Sequence, residues 1–418
     1  MARRPSSPKS RRGTATTAAR PPSAAELFVE FVDGLGFQNG TDKIAPLRNM
    51  TFWMGAGFSK AWDTRFPTGK ELFTLDAGEL EHVIDFGPLS RTFGIDSDEP
   101  LPAERLYELV YQLDMQARYP DVRSRYVDAQ NVAQMRGRLQ AAIVRRLSRL
   151  SGLEPFDSTT NKFPLAGPDE RKHSILDFFS YVLRKQSSSA GLTEGLRCHF
   201  VTTNYDNVIE TVLDNVLGPD DTLFLYNYRG FSPSEIVGNQ PLVPVHDHWL
   251  ASYLIKINGG IEILRRGDGF ALDYSNRSDQ EIAVDPPVLM LPSREQDYRD
   301  PYFDTIFPKT VRLMRESTIL VIVGYSLPEE DALMRFILRQ FAEEPEDGRD
   351  KVVFYIDRLG RRTKLERLER LFPGRRGRNP LIVTFEGSFD LFVRRCLRIV
   401  EKQKRARARQ WPVVRCPG

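Results

Sequence analysis

The feature that most constrains this chain is an apolar run that stops abruptly in glycines. Asn49-Met-Thr-Phe-Trp-Met54 passes directly into Gly55-Ala-Gly57. An apolar strand running into a Gly-rich turn and then a helix, expected here near 68–75, is the opening of a dinucleotide-binding βα unit. Glycines at such a turn let the backbone approach a pyrophosphate, whose charge is met by N–H groups at the next helix start. On local grounds they serve equally well as a plain tight turn. Ser59 either donates to phosphate or caps the helix.

From 197 onwards apolar runs alternate with helical patterns. Strands are expected over 197–203, 222–226, 253–257, 288–291, 318–323, 352–356 and 381–385. Helices are expected over 206–216, 301–315, 329–341, 364–371 and 389–402. This alternation argues for an α/β fold: a Rossmann-like, mostly parallel sheet with helices on both faces. A helix is also expected after Pro22, with Ser23 as its cap and Leu27, Phe28, Phe31 and Val32 on one face.

Residues 100–190 change character. The stretches 102–118, 131–150 and 173–184 carry apolar residues at helical spacing, such as Leu106, Leu109, Val110 and Leu113, and 151–170 looks like a loop. The expected organisation is a basic tail over 1–23, a nucleotide-binding domain from 24–99 and 191–400, a helical insert over 100–190, and a second basic tail over 401–418. A length of 418 residues suits two or three structural units.

Charge is segregated. The first twenty residues hold six basic groups and no acidic one, and residues 402–415 hold six more, so a net charge of +3 leaves the middle of the chain at −9. Such tails can recruit nucleic acid or an acidic partner electrostatically, though solvated, unstructured ends are the plainer reading. No apolar run approaches the ~18–20 residues of a membrane-spanning helix, and no apolar block follows the N-terminal charges. The expected compartment is therefore the cytoplasm. Three scattered cysteines, Cys198, Cys396 and Cys416, form no C-x-x-C pair, which excludes a disulfide framework or a four-cysteine zinc site built from this chain alone. No metal site is expected.

Three strand ends carry small or polar residues where a doubly wound sheet puts its ligand: Gly55-Ala-Gly-Phe-Ser59, Thr202-Thr-Asn-Tyr-Asp206 and Gly324-Tyr-Ser-Leu327. Asp357 ends a fourth and could accept from ribose hydroxyls, or be a solvated loop carboxylate beside Arg358. Asp206 at a helix start is by default an N-cap. His246 and His248, next to Trp249, read as packed or surface residues more readily than as metal ligands, because further ligands are not evident.

Together these segments resemble the sirtuin-like family. Gly-Ala-Gly-Phe-Ser followed by Pro67 and Leu72 is similar to that family's first phosphate-binding loop. Thr-Thr-Asn-Tyr-Asp at 202–206 is similar to its nicotinamide-ribose motif, and Val323-Gly-Tyr-Ser-Leu-Pro-Glu-Glu-Asp331 to its adenosine-side loop. Val288-Leu-Met-Leu-Pro292 also fits. The likeness covers roughly 48–75 and 197–360. It implies that NAD is bound, with Gly55, Ala56, Gly57, Phe58 and Ser59 around the pyrophosphate, Asn204 and Thr203 beside the ribose, and Asp206 holding the carboxamide. It places Gly324, Tyr325, Ser326 and Asp357 at the adenosine half.

Sirtuin deacetylases carry a four-cysteine zinc ribbon, which this chain cannot build alone. A helical insert without that ribbon resembles the antiphage-defence branch, which hydrolyses NAD to ADP-ribose and nicotinamide when activated. That resemblance implies NAD as substrate without zinc, a homo-oligomer, and a separately encoded DNA-translocating ATPase or nucleic-acid-guided protein as partner. One departure stands out. Where the family has Lys-Leu-His-Gly, this chain reads Lys256-Ile-Asn-Gly259, so Asn258 replaces the catalytic histidine. An amide cannot be a general base near neutral pH. Three readings follow: Asn258 suffices to orient ribose, His246 or His248 enters the site, or the domain binds nucleotide without turnover.

Overall fold

The computed structural model describes residues 21–35, 48–81, 94, 99–119, 121, 129–160, 162–165, 167, 169–184, 196–216, 229–237, 253–294, 300–329, 331–343, 351–372 and 380–410. The two histidines His246 and His248, the expected strand over 222–226, Cys416 and the N-terminal tail up to residue 20 lie outside them.

The apolar runs form strands β1 (Arg48–Met54), β2 (Leu196–Thr202), β4 (Leu254–Lys256), β7 (Ser317–Val323), β8 (Val352–Asp357) and β9 (Leu381–Glu386). They make one sheet, all parallel, in the order β4-β2-β1-β7-β8-β9. Counting only these six by chain position gives 3-2-1-4-5-6, the order of dinucleotide-binding doubly wound sheets. Strand order reverses between β1 and β7, and the crevice of such a sheet opens there. Register fixes where. Met54 pairs with both Thr202 and Val323, Val323 with Ile356, and Thr202 with Lys256. The strands therefore finish on one level, and the loops that follow them start along one rim.

All seven residues of β7 are buried, as both-face coverage of a parallel sheet requires. One face is covered by α1 (Ala24–Leu35), α2 (Ala56–Trp62), α7 (Glu170–Leu183) and α13 (Phe389–Gln410), which pack through rings of Phe28, Phe178, Phe389 and Phe392. Each such buried side chain contributes roughly 1.5–3 kcal/mol. Helix α10 (Pro301–Glu316) packs on β1. The remaining helices are α3 (Gly69–Phe73), α4 (Ala77–Glu81), α5 (Ala103–Arg118), α6 (Ala129–Ser151), α8 (Val208–Val216), α9 (Asp279–Val284), α11 (Ala332–Arg339) and α12 (Arg361–Leu371). Among the described residues no helix is long and apolar enough to cross a membrane.

Four differences from the sequence reading have physical causes. Helices within 100–190 pack on two different apolar cores. Leu106, Leu109, Leu139 and Ile143 of α5 and α6 share a second apolar core with Leu72 and Phe73, while Ile175, Phe178 and Phe179 of α7 belong to the main core. Residues 288–291 form no strand and make a single antiparallel bridge, Leu289 to Gly259; Pro286, Pro287 and Pro292 bracket them and cannot donate to a ladder. A small second sheet, β3 (Ile236–Val237), β6 (Gly269–Asp273) and β5 (Ile263–Arg266), stands beside the main one. Finally, α13 continues to Gln410 through ten residues of the expected C-terminal tail.

Candidate functional site at the sheet rim

The β1 and β7 loops meet backbone to backbone. Gly55 N–H donates to the Val323 carbonyl at 2.9 Å, and Gly57 N–H to the Gly324 carbonyl at 2.9 Å. Gly324 has φ +57°, and a Cβ there would lie 2.4 Å from Gly57 Cα; a Cβ on Gly57 would lie 2.6 Å from Gly324 Cα. Glycine is required on both sides of this contact. The same bonds occupy the donors expected to face phosphate. Phe58 N–H goes to the Gly55 carbonyl, and the Phe58 ring packs in the core near Phe179 and Phe389. An anion at this loop would thus meet Ala56 N–H rather than those of Gly55, Gly57 or Phe58.

On the other flank, side chains do the joining. Thr203 N–H donates to the Met54 carbonyl at 3.0 Å, which places Asn204 over the first loop. Asn204 Nδ2 donates to the Gly55 carbonyl and to Ser59 Oγ, both at 2.9 Å. The carbonyl partner can only accept, so the amide orientation follows, and Asn204 Oδ1 is left as an acceptor. Ser59 Oγ donates onward to Asp206 Oδ2 at 2.7 Å, and Asp206 Oδ1 accepts from Val208 N–H at 3.1 Å. The last bond turns the chain into α8; Asp206 is both a turn residue and the end of a relay from the first loop. Burial raises the Asp206 carboxyl to about 6, against the Ser59 hydroxyl, the Lys256 charge and the Val208 N–H, which pull it down.

Asn258 follows β4 on the same rim. Its Nδ2 donates to the Thr203 carbonyl at 3.1 Å, while its Oδ1 is buried without a hydrogen-bond partner among the described residues. The turn is forced by Gly259, whose φ is +82° and whose Cβ would fall 1.9 Å from the Val288 carbonyl. The Val288–Leu291 segment thus packs against this turn, and Tyr205 Oη donates to the Met290 carbonyl.

Beneath the rim lies a cluster the sequence reading missed. Lys256 Nζ sits 2.8 Å from both Glu210 Oε1 and Glu262 Oε2 and donates to Asn207 Oδ1 at 2.7 Å. Arg229 lies 2.8 Å from Glu210, 3.2 Å from Glu262 and 2.8 Å from the Tyr274 hydroxyl. All four charged groups are at most 1% exposed. Burial pushes the Glu210 carboxyl up, but the Lys256 and Arg229 charges outweigh it and hold the carboxyl below its usual range. The quartet ties the start of α8 to the end of β4, hence Asn204 and Asp206 to Asn258. A lysine in the otherwise apolar Tyr253-Leu-Ile-Lys-Ile257 and a glutamate inside the apolar α8 were the available signals.

The adenosine-side residues are less concentrated. Tyr325 is buried against Trp53, with its hydroxyl 2.6 Å from Asp331 Oδ2. Ser326 is exposed, and its carbonyl accepts from Arg367. Asp357 Oδ1 accepts from Leu359 N–H at 2.8 Å, within its own loop. His199 is structural: it accepts from Tyr253 N–H, and burial beside Arg197 drives its imidazole down to about 3. Cys198 and Cys396 are buried free thiols, and burial pushes both up.

No family model matches this chain, and no curated protein does. It is similar to solved structures of Sir2 proteins. One, described as the structural basis for the mechanism and regulation of Sir2 enzymes, is 11% identical with a TM-score of 0.34, covering 86% of this chain and 94% of that one. A Sir2 complex with a p53 peptide and NAD+ is 10% identical, with a TM-score of 0.34 and coverage of 90% and 98%. A mutant Sir2 homologue with ADP ribose is 11% identical, with a TM-score of 0.36 and coverage of 84% and 93%. At such identities and scores these likenesses carry no inference about chemistry, which rests on the geometry of the rim.

Proposed function

We propose that the crevice between β1 and β7 binds NAD and that the chain hydrolyses it to ADP-ribose, nicotinamide and a proton. The observation that carries this reading is that Asn204 and Asp206 after β2 and Asn258 after β4 share the rim beside the switch point of a 3-2-1-4-5-6 sheet, with the buried Asn258 amide oxygen unpartnered among the described residues. Asn258 Oδ1 is an acceptor without a donor among the described residues, and a ribose hydroxyl, a carboxamide N–H or a water supplies one.

The chemistry asks little more. Nicotinamide leaves as a neutral base, so no acid has to protonate it. The site must orient the ribose and stabilise positive charge developing at its anomeric carbon. Asp206, ionised above about pH 6 and buried beside Asn204, supplies negative potential; the two asparagines orient ribose and water. Water adds to the anomeric carbon as the glycosidic bond breaks, and its proton goes to solvent. Within a bacterial cell this reading makes the chain a defence effector that depletes NAD once a partner or self-assembly activates it. Resolving the products of NAD incubated with the pure chain, alone and with candidate activators, tests the reading. Asn204→Ala should lower turnover by about 10²-fold or more, the scale of losing one preorganised donor or acceptor. Intact NAD under every condition sinks it.

A second reading, binding without turnover, is favoured by one observation: the rim positions 204 and 258 both carry amides, and neither can take a proton. Saturable NAD binding by calorimetry with no product would establish it in place of hydrolysis.

A further inference from the structure

The last helix ends in a way the fold does not need. Through Val400, α13 is amphipathic: Phe389, Phe392, Val393, Cys396 and Val400 are buried against the main core. Beyond Val400 the helix runs on for ten residues, about 15 Å at 1.5 Å per residue, with Lys402, Lys404 and Arg405 exposed. Apolar burial does not account for this extension.

Its charges are ordered. Arg395, Arg398, Lys402 and Arg405 recur at spacings of three, four and three residues. At 3.6 residues per turn they fall within an arc of about 80°, opposite the buried face. All four are exposed. Arg395 is steadied over the Phe385 ring at 5.0 Å, and Arg405 has a loose contact with Glu401 at 3.9 Å. The helix sets these four cations along one straight ridge.

We propose that this ridge binds the phosphate backbone of nucleic acid without reading sequence. Evenly repeated cations along a rigid rod match an evenly repeated polyanion; duplex DNA carries about one charge per ~1.7 Å of axis counting both strands, so ~15 Å of duplex carries about nine. The chain outside the two basic segments, 1–20 and 402–415, is net −9, which disfavours a polyanion over most of the remaining surface. A lipid surface fits less well. A helix that binds membranes buries an apolar face in the headgroup layer, and the apolar face of α13 is already spent on the protein core. The inference is independent of whether NAD is bound or cut.

Four cations neutralising four phosphates give a slope of log affinity against log salt of about −3 to −4, or a loss on the order of 100-fold between ~50 and ~200 mM salt. Fluorescence anisotropy of the full chain with two labelled 20-bp duplexes of unrelated sequence should show that slope, equal for both. The triple variant Arg398→Gln, Lys402→Gln, Arg405→Gln should flatten it by about 3, with unfolding temperature unchanged, and Arg362→Gln on α12 should leave it alone. Three results overturn the proposal. They are a slope the triple variant does not move, which would place binding away from this ridge; retention on phosphatidylserine vesicles without duplex binding; and salt-sensitive self-association without duplex binding.

Discussion

The two flanks of the first glycine loop are held by different means. Toward β7 the loops are joined by main-chain hydrogen bonds: two N–H donors, two carbonyls and a pair of glycines with no room for a Cβ between them. Toward β2 and β4 the loops are tied by side chains, from Asn204 through Ser59 to Asp206 and from Asn258 to Thr203, over a buried quartet of charges. The first flank fixes distance and offers no chemistry. The second offers acceptors, a buried carboxyl and charge, and its geometry is only as good as its hydrogen bonds. Shape and reactivity are thus separated across one seam of the sheet.

The largest expected effect tests the polar flank at its base. Lys256→Met leaves Glu210 and Glu262 with one buried cation between them. Removing one partner from a buried ionic cluster costs about 3–5 kcal/mol, and urea unfolding should register that loss. A cost below about 1 kcal/mol would mean the quartet does not anchor this flank. The main-chain flank comes next. Gly324→Ala combines a left-handed φ, worth about 1–2 kcal/mol, with a Cβ driven into Gly57, for a total of about 3 kcal/mol or more. Unfolding should show it, and Gly57→Ala should show the steric part alone. If both are tolerated, the two loops move apart and the comparison fails.

A smaller effect has a pH signature. The Asp206 carboxyl is raised from its ordinary 3.8 to about 6 in the folded chain, so between those values the folded state binds the extra proton. Its contribution to stability is complete below pH 3.8 and lost as pH rises through 6. A rise from 3.8 to about 6 corresponds to about 3 kcal/mol. Stability relative to Asp206→Asn should therefore fall by about that much between pH 3.5 and 7. A flat difference would show that Ser59 and Lys256 compensate burial fully.

These contrasts also explain what the sequence made legible. Strands β1, β7 and β8 show as apolar runs ending in glycine or acid, because a buried parallel strand and the main-chain turn after it write themselves locally. The glycine seam was readable for the same reason, although which N–H groups it consumes was not. Nothing local announces that Ser59 meets Asp206, which is 147 positions away, or that Arg229 finds Glu262. Helix α7 has the same amphipathic spacing as α5 and α6, so periodicity could not tell that it faces the main core. The second sheet has strands of two, four and five residues, too short for a two-residue period to stand out.

The smallest effect on stability is the sharpest test of purpose. Asn258→Ala removes one hydrogen bond to the Thr203 carbonyl, worth about 1 kcal/mol, but it also removes a buried amide oxygen with no donor, a burden of about 1–3 kcal/mol. The two nearly cancel, so thermal unfolding should shift by little or rise slightly. A residue the fold would be no worse without is held for something the fold does not supply, and in the proposed site that is a donor on bound NAD. Calorimetry should then show NAD affinity falling by about fivefold or more, the loss of a ~1 kcal/mol hydrogen bond. Asn258→Ala that destabilises the chain by several kcal/mol, or that binds NAD unchanged, would make Asn258 a structural tie like any other on its flank.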